Sequence, residues 1–110
     1  MNKTTFQISQ SPSSNELHLI VEGPLCGMEA MRMKNIINRN MEISPSSVII
    51  DLRSVHDIDL TGINMLAMMH KSLKEMQTQF SILVCSNNSF MDKVRETKLH
   101  RFLPFNYLPV

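Results

Sequence analysis

The chain has 110 residues, with 11 Lys and Arg against 10 Asp and Glu, and 43% of its residues are hydrophobic. That length holds one ordinary domain, expected over 1–110. A formal charge of +1 gives no electrostatic footprint for nucleic acid or an anionic membrane as the main partner, and the apolar share is too high for a disordered tail. No apolar run approaches the roughly 20 residues of a membrane span, and Met1–Gln10 lacks the apolar core of a signal peptide. The expected location is therefore the cytoplasm, with no direct membrane insertion.

Residues 4–9 alternate weakly and predict a strand, residues 10–15 are turn formers, and residues 16–22 predict a second strand. The pair reads as an antiparallel hairpin ended by Gly23-Pro24. From about Gly27 to Met41 the spacing is helical, with Met28, Met31, Ile36 and Ile37 on the expected core face. Ser44-Pro45-Ser46-Ser47 breaks that helix. Val48-Ile49-Ile50-Asp51-Leu52 predicts a buried strand. A loop over Arg53 to Asp59 leads to a helix from about Gly62 to Gln79. Its expected core stripe is Ile63, Leu66, His70, Leu73 and Met76. Residues 80–85 predict a further buried strand, and Ser89 is placed to cap a helix from Phe90 to about Thr97. Leu99 to Val110 is irregular, and Pro104 and Pro109 keep any last helix short. The order β-β-α-β-α-β-α predicts an α/β domain. It would have one mixed, mainly parallel sheet, an antiparallel edge hairpin at the N-terminus and three to four helices.

Much catalytic chemistry has no local signature here. There is no GxGxxG, no GxxxxGK[ST] and no GxSxG, and the three glycines are Gly23, Gly27 and Gly62. Cys26 and Cys85 are too few for a disulfide framework and are expected as reduced thiols. His18, His56, His70 and His100 stand at neither zinc-finger nor HExxH spacing, so no metal or other cofactor is expected. These absences argue against an enzyme.

The most specific stretch is Val48 to Leu66: a buried strand, Asp51-Leu52 at its end, a short loop, then Asp59-Leu60-Thr61-Gly62 opening an amphipathic helix. It resembles the STAS domain, the fold of the bacterial anti-sigma factor antagonists, in which a D-[ST]-[ST]-G motif stands at the mouth of the second helix. The resemblance runs over about residues 5–103. It includes the strand ending Val21-Glu22-Gly23, the strand at Phe80 to Val84, and the closing Ser89 to Leu99 helix with Arg101-Phe102-Leu103. Two positions depart from the pattern. Leu60 replaces the usual small hydroxyl residue, and Cys26 stands where many members carry an acidic residue.

The resemblance implies that Thr61 is a phosphoacceptor. It also implies an anti-sigma factor or serine/threonine kinase of that type as partner, and a PP2C-like phosphatase that resets the switch. The physics is compatible. A helix amino terminus suits a phosphate, with the Gly62, Ile63 and Asn64 amides expected to receive it. About 1.5 to 2 added negative charges beside Asp57 and Asp59 would repel a docked partner. Asp59 and Thr61 are also ordinary N-cap types.

Met65 and Met68 follow Thr61 on one helix face. They either form an apolar partner patch together with Leu60 or lie under a neighbouring element. Asp51 is expected to orient the following loop, and His56 to be exposed. Lys93, Arg95, Lys98, His100 and Arg101 are expected to form a solvated basic face. Two further readings share the fold: a subunit of a phospholipid-transport ABC complex contacting its ATPase, and a small-ligand sensor with its pocket near Thr61.

Overall fold

The computed structural model describes residues 3–109; the outer ends of the expected domain, residues 1–2 and 110, lie outside the described residues. In chain order the elements are β1 (Thr5–Ser11), β2 (Glu16–Glu22), α1 (Met28–Asn40), β3 (Ser47–Ser54), α2 (Leu60–Glu75), β4 (Gln79–Cys85), α3 (Met91–Thr97) and β5 (Phe105–Leu108). Short 3-10 turns at Met41–Ile43 and Leu99–Arg101 follow α1 and α3. The sheet order is β1-β2-β3-β4-β5, with β1 antiparallel to β2 and every other pair parallel.

This order decides where the core lies. Successive parallel strands step in one direction across the sheet, and right-handed crossovers then put every helix on the same face. Burial follows that arrangement. Leu17, Leu19 and Val21 of β2, Val48, Ile50 and Leu52 of β3, and Ile82 and Val84 of β4 are all sealed under the helices. The alternate residues His18, Ile20, Ile49, Asp51, Ser81 and Leu83 face away and are half-buried or exposed.

The mixed sheet with its antiparallel edge matches the expected class, and several details differ from the sequence reading. The irregular tail contains β5, an edge strand paired with β4 from Ile82↔Phe105 to Cys85↔Leu108. Four residues carry too little alternation to announce a strand, and prolines on both sides are tolerated at an edge. The Pro104 carbonyl accepts from the Ile82 amide at 3.0 Å and starts the pairing.

The core face of α1 is Ala30, Met33 and Ile37, with Met28 and Met31 exposed. Apolar residues occupy two overlapping stripes of this helix, and the sheet selects one. The Arg32 guanidinium, 5.3 Å from the centre of the Phe6 ring, marks the side of α1 turned toward β1. In α2 the buried stripe is Ile63, Leu66, Met69 and Leu73. His70 is half-buried with its ring 6.3 Å from that of Phe80. Met76 is exposed because the helix ends at Glu75. Ser89 does not cap α3, whose N-cap is Phe90; its hydroxyl donates to the His56 carbonyl at 3.2 Å.

Candidate functional site

Asp59 is the N-cap of α2, and its Oδ1 accepts from the Gly62 amide at 2.9 Å. Its Oδ2 accepts from the Gly27 amide, also at 2.9 Å, at the N-cap of α1. One carboxylate thus satisfies an otherwise orphaned donor at the start of each helix, where the positive ends of both dipoles favour it. Gly27 has φ 54 and ψ −125, a conformation that side chains other than glycine's rarely adopt. Gly62 is required for a different reason. A Cβ there would stand 2.4 Å from the Leu25 carbonyl oxygen and 2.6 Å from Ile58 Cγ1. The Asp-x-Thr-Gly motif is therefore, in part, a device for seating α2 against the segment that leads into α1.

The loop between β3 and α2 is held from both sides. The carbonyls of Ser54 and Asp57 accept from the amides of Gly23 and Leu25, and Leu25 and Ile58 form a parallel bridge. From the other side, the Asn88 amide group donates to the carbonyls of Arg53 and Val55 while its oxygen accepts from the Cys85 amide. With Ser89 on the His56 carbonyl, every carbonyl from Arg53 to Asp57 has a donor. Such a loop is held in one arrangement by the protein itself.

Thr61 lies in the first turn of α2 and is half-buried. Asp59 takes the capping role, so the Thr61 side chain is not needed for it. Leu60 is exposed beside it, Met68 is exposed two turns along the same face, and Met65 is half-buried against the core. The expected amide cradle for a phosphate is occupied. The Gly62 amide is bonded to the Asp59 carboxylate and the Ile63 amide to the Asp59 carbonyl at 3.0 Å. Capping and helix formation consume donors that the motif by itself leaves open.

The STAS domain profile matches residues 7–107 of the sequence. The chain belongs to the STAS domain family. Among curated proteins none matches it by sequence. Three similar solved structures share its fold. An anti-sigma factor antagonist from Mycobacterium paratuberculosis is 19% identical with a TM-score of 0.80, covering 98% of this chain and 88% of that one. A candidate anti-sigma factor antagonist from Thermotoga maritima is 16% identical with a TM-score of 0.78, covering 96% and 87%. The Bacillus cell fate determinant SpoIIAA in its phosphorylated form is 13% identical with a TM-score of 0.69, covering 94% and 91%. SpoIIAA is also known in its unphosphorylated form.

In this STAS domain the charges at the site are paired rather than open. Lys93 of α3 donates to Asp57 Oδ1 at 2.7 Å. It therefore leaves the basic face read from the sequence and joins the site. No local signal announces this, because 36 residues separate the partners. The ammonium holds the Asp57 carboxyl below the usual carboxylate range, and Asp57 in turn raises Lys93. Asp57 Oδ1 also accepts from its own Ile58 amide at 2.9 Å.

Cys26 Sγ lies 3.9 Å from Asp57 Oδ2. Burial, then the charges of Asp59 and Asp57, push its pKa up, which keeps it a neutral thiol rather than a nucleophile. Within β3, burial opposes ionisation of Asp51. Its hydrogen bonds and ion pair with Arg53, at 2.7 Å, outweigh that and keep its carboxyl below the usual range. Gly27, Asn88 and Ser89 also belong to the site; the sequence reading places Gly27 and Ser89 only at helix starts. A concavity lined by Glu16, Ser47, Ile49, Gln79 and Phe80 sits at the opposite ends of the strands from Thr61.

Proposed function

We propose that this STAS domain is a binding module, not a catalyst, and acts as a cytoplasmic, bacterial anti-sigma factor antagonist. Its partner is an anti-sigma factor or a serine/threonine kinase of that type, and phosphorylation of Thr61 switches the interaction. The observation that carries the reading is Thr61 in the helix turn that follows a preorganised loop, freed from capping by Asp59 and flanked by exposed apolar side chains. Asp57, Asp59, Leu60, Gly62, Met65 and Met68 frame the docking surface.

The mechanism follows from the same geometry. With Thr61 bare, the partner packs on Leu60 and the methionines. Asp59 keeps the Gly62 amide, so a phosphate on Thr61 remains at the surface, beside the Asp57 and Asp59 carboxylates. It adds about 1.5 to 2 negative charges there, and bulk and like-charge repulsion release the partner. A PP2C-like phosphatase restores the bound state. The SpoIIAA fold, known both with and without phosphate, supports the same reading.

The test is capture of partners by the tagged chain, phosphosite mapping, and comparison of Thr61→Ala with Thr61→Glu. Thr61→Ala should bind the captured kinase as the unmodified chain does, and Thr61→Glu should bind far more weakly. Equal affinity of the two variants overturns the switch. Stable co-purification with a transport ATPase and no phosphate turnover would favour the ABC-transport reading instead.

A further inference from the structure

Three exposed methionines stand on α1 and α2, the two helices whose starts meet at Asp59. Among the described residues four methionines are open to solvent: Met28 at 79%, Met31 at 54%, Met68 at 45% and Met76 at 54%. Met33, Met69 and Met91 are sealed in the core. Met28 and Leu60 are the first residues of their helices, and the Asp59–Gly27 bond ties those two starts together. Met31 is one turn farther along α1, on the flank away from the one where Arg32 meets Phe6 of β1. Met68 lies on the Thr61 face of α2. Met76, the fourth exposed methionine among the described residues, is about 22 Å from Thr61 along the helix axis.

We propose that Met28, Met31 and Met68 form an oxidation-sensitive patch, whose conversion to sulfoxides closes the docking surface by a route independent of the Thr61 hydroxyl. This rests on the reading of the Thr61 surface as the docking site. The oxidant is a hydroperoxide. A lone pair of the thioether sulfur attacks the peroxide oxygen, the O–O bond breaks, and a sulfur–oxygen bond forms. The sulfur loses two electrons and hydrogen peroxide leaves as water. Methionine sulfoxide reductases reverse the change. The thioether is polarisable and apolar and repacks easily against a partner, whereas the sulfoxide is a strong acceptor. Burying it without a donor costs about 1–3 kcal/mol, which corresponds to a loss of roughly 5- to 150-fold in affinity. No leucine at these positions could respond in this way.

The experiment treats the full chain with graded hydrogen peroxide and maps each sulfoxide by peptide mass spectrometry. Affinity for the captured kinase or anti-sigma factor and the melting temperature are then measured. The control is the triple variant Met28→Leu, Met31→Leu, Met68→Leu, which keeps apolar volume and cannot take up oxygen at those three positions. Oxidation is expected at Met28, Met31, Met68 and Met76, with Met33, Met69 and Met91 protected. Binding by the native chain should fall on the order of tenfold or more, with melting little changed and recovery after reductase treatment. The triple variant's own affinity, whatever its starting value, should be the same before and after peroxide, although its Met76 oxidises. Unchanged affinity of a chain carrying all three sulfoxides overturns the inference, as does an equal loss in the triple variant. If the unoxidised chain captures no kinase or anti-sigma factor, the docking reading fails and this inference fails with it.

Discussion

The Asp59 carboxylate accepts from the Gly27 amide and the Gly62 amide, each at 2.9 Å, so one side chain starts both α1 and α2. An ordinary N-cap satisfies one helix. Here the second oxygen fixes the mouth of the site as well, because Gly27 leads into Met28 and Gly62 follows Thr61.

Replacing that side chain should therefore cost more than one cap. Asp59→Ala removes a cap worth about 1 kcal/mol and leaves the Gly27 amide without its acceptor, for a total of about 2–3 kcal/mol. Asp59→Asn keeps one acceptor oxygen and should recover part of the loss. Urea unfolding should show a lower midpoint with an unchanged m-value for both variants.

The two site glycines should respond to alanine for different reasons. Gly62→Ala gains about 1 kcal/mol in helix propensity but drives a Cβ into the Leu25 carbonyl and Ile58, at an overpacking cost of about 1–3 kcal/mol or more. The 2.4 Å approach points to the upper end, and to a net loss. At Gly27 a Cβ would meet nothing within 4 Å, so Gly27→Ala carries only backbone strain, about 1–3 kcal/mol. A second substitution that removes Ile58 Cγ1, Ile58→Ala, should relieve part of the Gly62→Ala loss and none of the Gly27→Ala loss in a double-mutant cycle.

The Lys93–Asp57 pair predicts a particular acid dependence. Asp57 has a folded pKa below its unfolded value, so its contribution is present above the ordinary carboxylate pKa of about 3.9. It is lost as pH falls through the lowered folded value. The melting difference between the native chain and Lys93→Met should hold at neutral pH, then shrink as the pH drops below about 4. Salt should shrink it too, since both side chains are about half-exposed. A difference that persists unchanged in acid would mean that Lys93 acts through packing instead.

The stripe of α2 can be checked by truncation. Met69 is 3% exposed, and Met69→Ala should cost about 2–5 kcal/mol. Met76→Ala should stay within about 0.5 kcal/mol of the native chain. Thermal or urea unfolding of the two variants measures both, and equal losses would contradict the packing of the helix.

The apolar runs at Val48 to Leu52 and Phe80 to Cys85, the breaks at Gly23-Pro24 and Ser44 to Ser47, and the Asp59 to Gly62 motif were all legible along the chain. They are local signals, carried by residues within a few positions of one another. The class of the fold follows from them, because a strand and helix order of this kind leaves few unknotted arrangements. The choice between Met28 and Met33 as core residues is different. Both belong to apolar stripes, and only the place of the sheet under α1 buries one and exposes the other. Lys93 on Asp57, Asn88 on the carbonyls of Arg53 and Val55, and Gly27 on Asp59 each join residues 32 to 36 positions apart. Periodicity and capping rules describe one segment at a time and contain no term for such pairs. The sequence by itself thus determined the elements, the family and the threonine at the mouth of a helix. Only the tertiary structure decided which donors near that threonine are free and which methionines surround it, since both depend on how separate segments meet.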